Sequence, residues 1–141
     1  METARERLAN YATPPLLVAV TILTSLGQQD IAEVGFSGAP AENVLRLARL
    51  ADDCGLDGVV CSPREAQAVR PAVEREFLLV TPGVRPRDAS LDDQQRVMTP
   101  LDALNAGADM LVIGRPIRNA PDPVAAARQV AREIEAALGI G

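Results

Sequence analysis

The sequence predicts one α/β domain with a parallel sheet, in which short apolar strands alternate with helices over 141 residues. Four apolar runs are continuous rather than alternating, which is typical of strands buried on both faces of a parallel sheet. These runs are 16–20, 59–61, 77–80 and 110–113. Apolar residues between the runs recur every three or four positions, as on one face of a helix. No linker or shift in composition interrupts the alternation, so 1–141 is predicted to form a single domain.

Capping residues mark where the predicted helices begin and end. Ser62, Thr99 and Asp122 each precede a proline, and an oxygen-bearing N-cap followed by proline suits the first turn of a helix. Gly55 and Gly107 each end a helical pattern and lead into a strand. In chain order, the sequence predicts a helix to about residue 10, a strand at 16–21, a helix at 42–54, a strand at 58–61, a helix at 63–74, a strand at 77–81, a helix at 100–107, a strand at 110–113 and a helix at 122–138.

The composition narrows the classes of function. A formal charge of −5 argues against a nucleic-acid-binding surface, which needs a basic stripe. No apolar run approaches the roughly 20 residues that span a bilayer. Two cysteines, Cys54 and Cys61, without a secretory leader fit the reducing cytoplasm better than a disulfide scaffold. We therefore expect a cytoplasmic protein with no nucleic-acid or membrane partner, and the sequence predicts no metal and no cofactor.

Proton-transfer groups are scarce in this sequence. It contains no histidine and no lysine, so all 14 basic residues are arginines. Arginine hardly ever releases its proton, and general acid–base catalysis near neutral pH most often uses histidine. Few side chains in this sequence could therefore transfer a proton near neutral pH.

Candidate ligand contacts follow the predicted strands, because parallel α/β proteins bind ligands at the carboxyl ends of their strands. Gly114 would let a ligand approach the backbone, and Arg115 would offer two parallel donors to a phosphate. We favour this interpretation over a glycine turn beside a solvated arginine. Thr24 and Ser25 follow the first strand, where they could contact a ligand or cap the short segment that runs to Gly35, and both interpretations stay open.

The third predicted strand is followed by a turn and a polar segment. Pro82 and Gly83 have the composition of a plain turn, and Arg85 lies just beyond them. The polar segment at 87–96 is long for a connector in a compact domain, and such loops are often functional lids. Gln94 carries an amide that could reach a ligand, although a solvated surface position fits the local sequence equally well.

Asp57 and Asp109 precede predicted strands rather than follow them. They would therefore lie at the amino ends of the strands, the face of a parallel α/β protein that serves stability. We expect both aspartates to be structural.

Five segments together resemble one known family. They are AVTILTS at 19–25, GLDGVVCS at 55–62, LVTPGVRP at 79–86, DQQRVMTP at 93–100 and GADMLVIGRPI at 107–117. In order and spacing they resemble the second half of bacterial orotidine 5′-phosphate decarboxylases, and the likeness covers essentially the whole chain. It implies a parallel (β/α) barrel of the TIM-barrel type, of which this chain would be the half corresponding to strands 5–8. A complete barrel typically takes about 250 residues.

The resemblance also implies a set of substrate-binding residues. They are Thr24, Ser25, Pro82, Arg85, Gln94, Gly114 and Arg115. The two hydroxyl residues would contact the pyrimidine, and the proline would line the base pocket. Arg85 and Gln94 would close over the nucleotide, while the backbone of Gly114 and the side chain of Arg115 would hold the 5′-phosphate.

The catalytic array of the family has no counterpart in this sequence. That array is a network of lysine and aspartate with an Asp-x-Lys-x-x-Asp motif on an earlier strand, whereas this chain has no lysine. No catalytic residue is therefore assigned, and the chain alone is predicted not to decarboxylate orotidine 5′-phosphate. There are two alternatives to an inactive decarboxylase half: a non-catalytic nucleotide- or phosphate-binding module, and one chain of a split decarboxylase. Another barrel enzyme acting on a sugar phosphate fits less well, because the pyrimidine-side segments match too.

The resemblance finally predicts an assembly. The family forms dimers that share active-site residues, and half of a closed barrel would leave two sheet edges and its inner apolar side chains uncovered. We therefore expect a homo-oligomer or a complex with an amino-terminal half-barrel.

Overall fold

The computed structural model describes residues 1–74, 76–86 and 98–139. Within them lies a four-stranded parallel sheet in the order β1-β2-β3-β4, with helices between the strands. The elements are α1 Glu2–Leu8, β1 Val18–Val20, α2 Gln28–Glu33, α3 Pro40–Asp53, β2 Gly58–Val60, α4 Pro63–Val69, a 3₁₀ turn Arg70–Ala72, β3 Leu78–Pro82, α5 Pro100–Asn105, β4 Met110–Val112, α6 Arg115–Arg118 and α7 Pro123–Leu138. Every strand pairs with the next one in the chain, as in a segment of a (β/α) barrel and unlike a doubly wound sheet.

The core lies between one face of the sheet and the helices. Val59 of β2 and Leu79 of β3 pair in register, and both are fully buried. They belong to one cluster with Val44 of α3 and Val69 of α4. Side chains alternate between the two faces of a strand, so every second residue of β2 and β3 faces this cluster.

The other face of the sheet is open at its outer strands. Val18 and Val20 of β1 and Met110 and Val112 of β4 are exposed, with Val20 58% and Val112 50% accessible. This is the face that a closed barrel would enclose. The prediction that all four strands are buried on both faces is therefore wrong for β1 and β4 in the described chain, because nothing in it covers their inner side chains.

The predicted helix starts are confirmed by their caps. The side chains of Ser62 and Thr99 accept hydrogen bonds from backbone N–H groups in the first turns of α4 and α5. Asp122 accepts from the first turn of α7 at 3.0 Å. Gly55 and Gly107 have φ values of +70° and +100°, the left-handed conformation expected of glycines that end helices.

Boundaries differ from the prediction at several elements. The helix predicted at 63–74 ends as an α-helix at Val69 and continues as the 3₁₀ turn, since Pro71 lacks the N–H that an α-helical bond requires. The helix predicted at 42–54 begins earlier, at Pro40, and the helix predicted at 100–107 ends at Asn105. The short helices α2 and α6 were not predicted.

Candidate functional site

A pocket of about 290 Å³ lies at the adjoining carboxyl ends of β3 and β4. Its described lining residues are Pro82, Gly83, Val84, Arg85, Val112, Gly114, Arg115, Pro116 and Arg118. The pairing of Pro82 with Val112 in the sheet brings the two loops together. Four of the seven predicted substrate-binding residues, Pro82, Arg85, Gly114 and Arg115, therefore line one pocket.

Two other cavities are larger but lie away from these strand ends. One, of about 320 Å³, is lined by residues of α5 and α7 and by Thr99. The other, of about 520 Å³, lies between the segment 34–37 and α3. Because parallel α/β proteins place their ligands at the carboxyl ends of strands, the pocket of β3 and β4 is the candidate site.

The turn after β3 shapes one wall of the pocket. Gly83 has a φ of +79°, a left-handed conformation that costs glycine nothing and other residues about 1–2 kcal/mol. Just beyond it, Val84 forms a parallel bridge with Met98 and is fully buried against Ala103 and Ala108. The wall is therefore fixed by backbone geometry on one side and by apolar packing on the other.

Arg85 is buried at this wall, with only 5% of its surface accessible. Its guanidinium group places a positive charge at this wall. An anion meets such a charge with less screening than at the open surface. The contact of Arg85 with a nucleotide, which the family resemblance implies, stays a prediction.

Gly114 leaves the opposite wall open. Its φ of −106° lies outside the left-handed region, and a Cβ added to it would meet no described atom within 4 Å. Neither left-handed geometry nor packing among the described residues requires glycine here. The absent side chain exposes the backbone between β4 and α6, at the point where Arg115 enters the pocket.

The helix α6 positions the two arginines of this wall. The Gly114 carbonyl accepts hydrogen bonds from the N–H groups of Ile117 at 3.1 Å and Arg118 at 2.9 Å, which close the turn. Sequence reasoning missed Arg118 as a lining residue because it missed α6. Pro116 in the first turn was the available signal.

Thr24 and Ser25 lie apart from this pocket. They follow β1, at the opposite edge of the sheet from β4. Thr24 is 7% accessible and Ser25 is exposed. Neither caps the following helix, because the N-cap of α2 is Gly27, whose N–H donates to the Asp30 carboxylate at 2.6 Å. The capping alternative is therefore wrong, and the predicted contact with a pyrimidine stays a prediction. Gln94 lies outside the described residues.

Asp57 and Asp109 are structural, as predicted. Each carboxylate accepts a hydrogen bond from a backbone N–H of the neighbouring strand region, Leu17 at 2.6 Å and Leu79 at 2.8 Å. Asp57 also pairs with Arg5. Both aspartates lie at the amino ends of the strands, away from the pocket.

The buried titratable groups near the strand ends supply no reactive centre. Burial, reinforced by the nearby Glu65 carboxylate, raises the pKa of the Cys61 thiol to about 12, so it stays neutral. The Glu65 carboxylate accepts the Ser62 backbone N–H at 3.0 Å, which completes the cap of α4.

Among the described residues, no group of three or more His, Cys, Asp or Glu side chains could hold a metal ion. No helix described here is long and apolar enough to cross a membrane.

Comparison with known proteins agrees with the fold. The family described as orotidine 5′-phosphate decarboxylase / HUMPS matches residues 1–130. The chain belongs to this family. A Chromobacterium violaceum relative named orotidine 5′-phosphate decarboxylase is 58% identical over 139 residues, covering 99% of this chain and 56% of that protein. A Nitrosococcus oceani relative of the same name is 54% identical, covering 95% of this chain and 58% of that protein.

A solved structure extends the comparison to three dimensions. The crystal structure of orotidine 5′-phosphate decarboxylase from Lactobacillus acidophilus superposes with a TM-score of 0.78 at 36% identity, covering 94% of this chain and 57% of that one. The prediction of a TIM-barrel-type fold is confirmed. The chain spans a little over half the length of the family members that it matches.

Proposed function

We propose that the chain is the nucleotide-binding, carboxy-terminal half of an orotidine 5′-phosphate decarboxylase, which converts orotidine 5′-phosphate to uridine 5′-phosphate in pyrimidine biosynthesis. The observation that carries this proposal is the pocket that Pro82, Arg85, Gly114 and Arg115 line in a chain of this family. The names of relatives at 54–58% identity support the substrate class. The cytoplasmic location stays a prediction.

In this proposal the 5′-phosphate occupies the pocket between the ends of β3 and β4. The open backbone at Gly114 admits its oxygens, and Arg115 donates two parallel hydrogen bonds to them. Arg85 adds a fixed charge from the buried wall. The base extends from Pro82 along the strand ends towards Thr24 and Ser25.

The chemical step needs groups that this chain does not carry. Loss of carbon dioxide from the pyrimidine leaves a carbanion, which a nearby ammonium stabilises and protonates in the mechanism implied by the family resemblance. The chain contains no lysine or histidine, and the pKa of Cys61 is too high for ready proton exchange. We therefore propose that an amino-terminal half-barrel supplies the catalytic array.

Substrate turnover and nucleotide binding test this function together. Purified chain should bind uridine 5′-phosphate but leave the absorbance of orotidine 5′-phosphate unchanged. Turnover in a preparation free of host decarboxylase, if Arg115→Ala abolished it, would overturn the proposed inactivity. Absence of nucleotide binding, by the chain alone and in any complex with an amino-terminal half, would overturn the binding role.

One alternative is a non-catalytic nucleotide-binding module, and the absence of lysine fits this module and one chain of a split decarboxylase equally well. Tight binding by the chain alone, with no associated partner, would support the module. Co-purification of a second polypeptide that carries the Asp-x-Lys-x-x-Asp motif would support the split decarboxylase.

A further inference from the structure

The pocket contains a third guanidinium, that of Arg118. This residue lies beyond the 107–117 segment that carries the family resemblance, and no role follows for it from that likeness. It lines the same pocket as Arg85 and Arg115. Arg115 and Arg118 are three positions apart on α6, so they are neighbours on the helix surface.

The described lining of the pocket carries basic side chains, whereas the whole chain is acidic. The chain carries 19 acidic and 14 basic residues, for a formal charge of −5. The described lining of the pocket includes three arginines and no acidic residue. Clefts lined by charge of one sign focus the electric field and attract ligands of the opposite sign.

No carboxylate in the described part of the chain forms a salt bridge with Arg118. Its Nε donates to the side-chain oxygen of its neighbour Asn119 at 3.3 Å. The two salt bridges among the described residues involve Arg5 and Arg70 instead. Arg118 is also exposed, so its charge faces the solvent from which a ligand approaches.

We propose that Arg118 is a specificity-determining cation of this pocket, which attracts a phosphate monoester dianion and favours a nucleotide over its nucleoside. The proposal rests on the proposed function, because it takes the pocket to be the phosphate site. Arg85 and Arg115 provide the close contacts, whereas Arg118 acts over a longer distance through solvent. Such an interaction is screened by salt, since the Debye length falls from about 10 Å at 0.1 M to about 3 Å at 1 M.

Titration calorimetry with uridine 5′-phosphate on the complete 141-residue chain tests this role. At low salt, Arg118→Gln should weaken nucleotide binding about threefold to fivefold, and the difference from the unmodified chain should fall below about 1.5-fold in 1 M salt. Arg118→Lys keeps the charge and should stay within about twofold of the unmodified chain. Binding of uridine should be the same in all three proteins.

Arg7→Gln is the matched control. Arg7 is an exposed arginine on α1. Arg5, on the same helix, donates a hydrogen bond to Asp57 at the amino end of β2. The control therefore removes the same charge at the end of the sheet opposite the pocket. Equal weakening by both variants would show an effect of net charge alone and would overturn the proposal. So would a loss that persists in 1 M salt.

The outcomes separate this inference from the proposed function. If Arg115→Ala weakens nucleotide binding and Arg118→Gln does not, the role of Arg118 is wrong and the phosphate site stands. If the unmodified chain binds neither uridine 5′-phosphate nor inorganic phosphate, alone and in any complex with an amino-terminal half, the phosphate site in this chain is wrong and the role of Arg118 is wrong with it.

Discussion

The backbone N–H of Arg85 donates a hydrogen bond to the carbonyl oxygen of Met98 at 2.9 Å. This bond, next to the bridge between Val84 and Met98, joins the segment that follows β3 to the residue before the Thr99 cap of α5. The position of Arg85 at the pocket is therefore set by backbone contacts and by the burial of Val84 beneath it.

Removal of the Val84 side chain should loosen this wall. Val84 is 1% accessible and packs in a small cluster with Ala103 and Ala108, so Val84→Ala should lower the free energy of unfolding by about 1–3 kcal/mol. Urea denaturation measures the loss. Val34→Ala is the control, because Val34 is 70% accessible and should change stability by less than about 0.5 kcal/mol. Equal losses in both variants would contradict the packing of this wall.

Arg115→Ala should weaken binding of uridine 5′-phosphate by about 1.5–3 kcal/mol, the range for a hydrogen bond to a charged group. Binding of uridine, which has no phosphate, should change little. Calorimetric titration with both ligands distinguishes the two effects, and Arg132→Ala on the exposed surface of α7 serves as control. Equal losses for the two ligands would mean that Arg115 acts on folding or on the base.

Gly114→Ala should separate binding from stability. The added methyl group meets no described atom within 4 Å, so the free energy of unfolding should change by less than about 0.5 kcal/mol while affinity for uridine 5′-phosphate falls. Gly58→Ala is the contrasting variant, because its methyl group would collide with the Leu78 carbonyl oxygen of the paired strand. That variant should lose about 1–3 kcal/mol of stability or more. Unchanged nucleotide affinity in Gly114→Ala would show that the phosphate does not approach this backbone.

The buried thiol predicts a dependence of stability on alkaline pH. The pKa of Cys61 is about 12 in the folded chain and 9.0 without burial, so the unfolded state loses this proton first as pH rises. This contribution to stability is fully present below pH 9 and declines between pH 9 and about 12. Urea denaturation across this range should show a smaller decline in Cys61→Ala. Identical slopes in the two proteins would contradict the raised pKa.

The open face of the sheet predicts self-association or a partner. Val20 and Met110 belong to the two outer strands and are 58% and 48% accessible, and burial of apolar surface contributes roughly 25 cal/mol per Å². Sedimentation equilibrium should therefore show a species larger than 14.9 kDa. Val20→Asp should shift it towards the monomer, whereas Val34→Asp on an outer surface should not. A well-folded monomer would contradict this account.

The parts of the fold that local chemistry determines were predictable. The caps at Ser62, Thr99 and Asp122 follow from residues two or three positions apart, and the strands follow from short apolar runs. The helices α2 and α6 have six and four residues, which is too few for an apolar periodicity to show. Without α6, no residue pattern indicated that Arg118 would lie at the pocket.

The candidate site was predictable where neighbouring strands build it. Pro82 ends β3 and Arg85 follows it, while Gly114 and Arg115 follow β4. Because β3 and β4 pair directly, the convergence of these residues follows from a parallel sheet in sequential order. Thr24 follows β1, two strands away from β3. Its distance from the pocket depends on how the sheet curves and closes, which residue pattern alone does not determine.

Asp57 and Asp109 make equivalent contacts in the two pairs of strands, β1 with β2 and β3 with β4. In each pair, an arginine that precedes the first strand and an aspartate that precedes the second meet at the amino edge: Arg5 with Asp57, and Arg70 with Asp109. Each aspartate also holds a backbone N–H of its neighbour. The same pair of contacts, an ion pair and a hydrogen bond to a backbone N–H, therefore occurs twice at the end of the sheet opposite the pocket. The loops at the pocket end can therefore change in sequence without breaking these contacts, which keep the strands aligned.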